Sequence, residues 1–185
     1  MKIMTKQSSL DITELLHSVI DLELAIDDAQ ELMIGPVARQ QTIYAQLDLK
    51  LSEFARNAGW LDVLKQAKPV EHSQLVQTYT EALALFLLFS AKRQLTHLVV
   101  LSDEQWERIT NAEKKDKLAD LNQEYLAIKN FLNGAFFSRR HEDFRHAWHL
   151  FLKLGLVDFE IKPAEITSAY QDMVKSAMKE YADED

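Results

Sequence analysis

Two carboxylates, Glu53 and Glu81, stand on separate long helical patterns, each carrying an apolar stripe. Residues i and i+3 share a helix face, so a second carboxylate three residues before each would complete a bench of four oxygen ligands. Hard oxygen donors at short range suit Mg²⁺, which can neutralise phosphate charge and activate an attacking water. The chain has Lys50 and Thr78 at those positions. An ammonium between two carboxylates can supply positive charge in place of a metal, so Lys50 is expected to pair with Glu53, Glu81 or both. The alternative for Glu53 is a solvated polar stripe with Gln46, Lys50 and Asn57. Glu81 opens into ALALFLLF, where a carboxylate needs a partner or a proton.

Other groups at chemically suggestive spacings are weaker. The run Asp21, Glu23, Asp27, Asp28 and Glu31 reads as a solvated helix face, although Asp27 and Glu31 at i, i+4 could share a cation. Asp48 points away from Glu53 on any regular helix. His146 and His149 could share a metal, with His141 and Asp143 nearby, but amphipathic histidines flanking Trp148 are the simpler reading. Arg139 and Arg140 can meet a phosphate or the C-terminus of the preceding helix, where cations are favoured. No cysteine, G-x-S-x-G, P-loop or G-x-G-x-x-G occurs.

The elements that must position these residues are helices. Four glycines and three prolines in 185 residues are few, and Leu, Ala, Glu, Lys and Gln are plentiful. That composition predicts an all-α fold, a bundle of five to six main helices in one domain spanning residues 1–185. The net charge of −8 opposes nucleic-acid binding and anionic membranes. Without cysteine there is no disulfide framework, which fits a cytoplasmic location. The N-terminus lacks a signal-peptide core, and ALALFLLFSA is too short to span a bilayer.

Asp11-x-x-Glu14 predicts the first helix start, and Gly35-Pro36 separates it from a second that runs to about Asn57 and stops at Gly59. WLDVLKQA reads as a short helix or turn. A third helix covers about Glu71 to Leu95, HLVVL (97–101) suggests an extended piece, and Ser102-x-x-Gln105 caps a short helix. After the exposed link NAEKKDK come helices over about Leu118 to Ser138 and Phe144 to Leu154, the latter stopped by Gly155. Pro163 opens the last, with Ile166, Ala169, Tyr170, Met173, Val174, Ala177 and Tyr181 on its apolar side. The acidic tail 181–185 is expected to fray.

The stretch FRHAWHLFLKLG followed by VDFEIKPAEITSAY resembles the C-terminal part of the all-α dUTP diphosphatase family, which belongs with the MazG-like nucleotide pyrophosphohydrolases. LLHSVIDLELAID, AQLDLKLSEFARN and TYTEALALFLLF fall where that family's first three helices do. The resemblance implies a homodimer, Mg²⁺, a dUTP-like nucleotide, and metal ligands as Glu-x-x-Glu on the second helix and Glu-x-x-Asp on the third. Here the matching positions are Lys50, Glu53, Thr78 and Glu81. Val19 stands where the family has a base-contacting Gln, and Met173, Val174 and Ala177 replace polar residues near the phosphates. The expected function is therefore a divergent relative with a degraded metal site, a non-catalytic or weakly active nucleotide-binding or interaction module. The alternatives are an active Mg²⁺-dependent nucleoside triphosphate pyrophosphohydrolase and a helical partner-binding protein unrelated to nucleotides.

Overall fold

The computed structural model describes residues 9–60, 64 and 68–182. These residues form seven α-helices, six long and one short, and no strand is present among them. Helix α1 (Ile12–Ala29) starts where the Asp11 carboxylate accepts the Glu14 backbone N–H at 3.0 Å. Its buried positions are Ile12, Leu15, Leu16, Val19 and Leu22, the one-sided stripe of a helix lying on a core. Pro36, whose missing N–H would be unpaired at a helix start anyway, opens α2 (Pro36–Asn57). Ile43, Leu47, Leu51 and Phe54 form its buried seam. Gly59 then turns the chain at φ 87°, and a Cβ there would press to 2.8 Å from the Pro69 nitrogen.

Helix α3 (His72–Lys92) is the centre of the molecule. It packs against α1, α2 and the last helix, and is buried on most sides from Leu75 to Ser90. After it, residues 95–99 form a tight 3₁₀ turn rather than the expected extended piece, closed by Leu98 N–H to Leu95 O at 2.9 Å. A lone strand needs a ladder partner, whereas the turn satisfies its own backbone locally. The Val99 carbonyl also accepts the Trp148 indole N–H at 3.0 Å. Helix α4 (Asp103–Thr110) begins with the expected reciprocal Ser102–Gln105 capping box.

Helices α5 (Leu118–Phe137) and α6 (His141–Lys153) form an antiparallel hairpin, with the Arg140 N–H donating to the Gly134 carbonyl. Helix α6 begins three residues earlier than expected, and Gly155 does not end it. The chain continues through a π-helical turn, Leu154–Asp158, closed by Phe159 N–H to Leu154 O at 3.1 Å. Gly155 is required there because a Cβ would run into the ring of Tyr79. Rings from α3 and α6 stack through the interior, Tyr79 on Phe151 at 4.5 Å and Phe86 on Phe151 at 4.6 Å.

Pro163 opens α7 (Pro163–Ala177), where Ile166 and Tyr170 are fully buried and the Tyr170 hydroxyl donates to the Leu15 carbonyl at 2.7 Å. Ala169, Met173, Val174 and Ala177 are only half-buried, so the C-terminal half of the stripe is incompletely covered. A further turn, Met178–Ala182, packs on α1, and the Tyr181 carbonyl accepts the Gln30 amide at 3.2 Å. Residues 183–185 of the tail expected to fray lie outside the described residues, as does most of the WLDVLKQA segment. No helix among the described residues is long and apolar enough to cross a membrane.

Candidate functional site

Helices α2 and α3 lie side by side, and their pairing brings Lys50, Glu53 and Glu81 to one point. Lys50 Nζ sits 2.8 Å from Glu53 Oε2 and 2.6 Å from Glu81 Oε2. The three side chains are 32 %, 37 % and 26 % exposed, so the cluster lies at the rim of the helix pair rather than in its core. Gln77 donates to the other Glu81 oxygen at 3.2 Å. Burial alone draws the Lys50 ammonium pKa down, but the hydrogen bonds and charges of Glu53 and Glu81 outweigh it and hold that pKa above the ordinary 10.5.

Thr78, the fourth position, is turned inward. Its hydroxyl donates to the Gln74 carbonyl at 2.9 Å and accepts the Asn57 amide at 3.0 Å. Asn57 is buried, not part of a solvated stripe with Gln46, Lys50 and Glu53. The four positions do not fit a Mg²⁺ bench. Their two carboxylates already share an ammonium, and the hydroxyl is engaged within the helix pair. Among the described residues no group of three or more His, Asp or Glu side chains converges on a metal-sized point.

The remaining candidates separate. Asp48 points away from the bench and pairs with Lys129 of α5. The acidic run on α1 is not a uniformly solvated face: Glu23 is largely buried and held by Arg39 and Lys92, while Asp27 meets Arg39 at 2.7 Å. Glu31 lies beyond the end of α1 at φ 51°, so it does not share a helix face with Asp27. His146 packs on the Phe131 ring, and the pKa of His149 is lowered by burial first and then by the charges of Arg145, His146 and Arg108. Asp143 pairs with Arg140 at 2.7 Å, which commits it elsewhere than to a histidine cluster. Val19 is in the core.

One charged cluster had no sequence signature. Buried Lys153 donates to Glu124 at 2.7 Å and to both oxygens of Asp158 at 2.8 and 2.9 Å. Asp158 also accepts the Lys115 backbone N–H at 2.7 Å, anchoring the polar link to the π-helical turn. Burial and a hydrogen bond with Asp158 push the Glu124 carboxyl up to about 7, against the pull of Lys153. The spacing of Lys153 and Asp158 matches no regular helix face; the π-helical turn between them brings them together.

Beside the Lys50 cluster, α3 and α7 border an open groove of about 920 Å³. Its floor is Val76, Ala169, Met173 and Ala177, and its rim carries Glu81, Glu165, Asp172 and Glu180. Fold and site together define an all-α protein with a carboxylate pair bridged by one ammonium at the edge of an acidic groove. Comparison with known protein families, curated proteins and solved structures finds no match.

Proposed function

We propose that the chain is a non-catalytic interaction module built on the plan of the all-α dUTP diphosphatases. The single observation behind this reading is Lys50, whose ammonium bridges Glu53 and Glu81 at 2.8 and 2.6 Å. A fixed ammonium there supplies one of the two positive charges that Mg²⁺ would bring, and it cannot polarise a water or bridge phosphate oxygens as Mg²⁺ does. An acidic neighbouring groove repels a triphosphate that arrives without compensating metal. These two features favour protein interaction over nucleotide binding. The homodimer implied by the resemblance belongs to the same proposal and is read by sedimentation equilibrium.

The test is pyrophosphate release from dUTP, and from the other nucleoside triphosphates, in the presence of Mg²⁺. The reading predicts no release above the protein-free rate. Turnover that depends on Glu53 or Glu81 would overturn it in favour of an active pyrophosphohydrolase.

A further inference from the structure

We infer that the α3–α7 groove is a docking site for a basic amphipathic helix from a different protein. The inference rests on the interaction reading above and names the partner's chemistry. Its first support is unfinished burial. Ala169, Met173 and Ala177 continue the apolar stripe of α7 but remain half-exposed, and with Val76 they floor the groove. Alanines on the floor let a partner backbone approach closely, as helix pairs with small contact residues do.

The second support is charge. Among the described residues no Lys or Arg lines the groove, and the lining residue His72 is held by Glu165 at 3.0 Å. Asp172 and Glu180 carry no ion pair among the described residues. Glu165, Asp172 and Glu180 recur about every two turns, an axial spacing of roughly 11 Å. A complementary helix places Lys or Arg at i and i+7 beside an apolar stripe. From Ala164 to Tyr181 the groove wall runs ~26 Å, room for a partner of about 17 residues. A second copy of this chain is disfavoured, because at net charge −8 it brings like charge to an acidic rim.

The test uses the full chain and fluorescence anisotropy. The probe is a fluorescein-labelled helical Lys/Leu/Ala peptide of about 17 residues, matched by a Glu/Leu/Ala peptide with the same apolar face. The basic peptide is expected to bind in the micromolar range and the acidic one not at all. Asp172→Lys with Glu180→Lys should weaken binding by at least ~10-fold, since both rim contacts become repulsive. Ser176→Trp, at an exposed position on the groove wall, should block binding without unfolding the chain, as circular dichroism will show. Glu107→Lys with Asp116→Lys, equal in charge but distant, should change affinity by less than about twofold.

Equal losses from the two charge reversals would reduce the effect to general attraction and overturn the inference. So would undiminished binding to the Ser176→Trp variant, or no binding of the basic peptide at about 100 µM. Self-association abolished by Ser176→Trp would assign the groove to a second copy instead. Failure of the peptide with no nucleotide turnover defeats the groove alone, whereas Mg²⁺-dependent turnover defeats the non-catalytic reading itself.

Discussion

Replacing Lys50 by Met keeps most of the aliphatic stem and removes the charge. Two contacts are lost, at 2.8 and 2.6 Å. Partly exposed ion pairs contribute about 0.5 kcal/mol each after solvent screening. The larger effect is what remains: Glu53 and Glu81 both touch one nitrogen, so their oxygens stay within roughly 5 Å of each other. At that distance like charges repel by about 1 kcal/mol at the dielectric of water and about 3 kcal/mol at an effective value of 20. The exposure of the site favours the lower figure, so Lys50→Met should destabilise by about 2 kcal/mol at neutral pH. The native Lys50 contribution is complete below the ordinary lysine pKa of 10.5 and is lost as pH rises through the higher folded value. Urea denaturation of wild type, Lys50→Met, Glu81→Gln and the double variant gives the coupling directly. The double variant should recover about half of the loss, the repulsive part of about 1 kcal/mol, and about 1 M NaCl should reduce the penalty. A Lys50→Met protein within about 0.3 kcal/mol of wild type, or a loss untouched by Glu81→Gln, would show that Lys50 does not hold two crowded carboxylates together.

Glu124→Gln should flatten the pH dependence of stability. The folded carboxyl holds its proton up to about pH 7 whereas the unfolded one releases it near 4.5, so this group's contribution is full at acid pH and is lost as pH rises through 7. Melting temperatures between about pH 5 and pH 8 should fall in wild type by more than in the variant. Gly155→Ala should destabilise by about 1–3 kcal/mol through collision with Tyr79. Gly35→Ala, where a Cβ meets nothing within 4 Å, serves as the mild comparison in the same denaturation assay. Thr78→Val leaves the buried Asn57 amide without its acceptor, an expected loss of about 1–3 kcal/mol. Adding Asn57→Leu should return part of it, as differential scanning calorimetry will show.

The helices were legible because their punctuation is local. Asp11, Pro36, the Ser102–Gln105 box and Pro163 each act within one turn, and the apolar stripes repeat at the helical period. The meeting of Lys50 with Glu81 was legible for a similar reason: two amphipathic helices that bury their stripes against each other leave one shared rim. The turn at residues 95–99 is not legible because a short apolar run carries no period, and the Trp148 indole that donates to the Val99 carbonyl is distant in sequence. The solvated stripe failed at Asn57, since polarity alone does not reveal that Thr78 waits opposite it. Glu23 and the Lys153–Asp158–Glu124 cluster were invisible for a deeper reason. Buried charges are fixed by partners distant in sequence or by an irregular turn, and neither leaves a spacing rule.

The proposed role of Lys50 is to take the place of a metal between Glu53 and Glu81. Calorimetric titration of Mg²⁺ into wild type and into Lys50→Glu, side by side, reads this directly. No heat of binding to wild type, with binding gained by a variant that offers a third carboxylate beside Glu53 and Glu81, is the predicted result. Mg²⁺ binding to the wild-type chain that Glu81→Gln abolishes would contradict it.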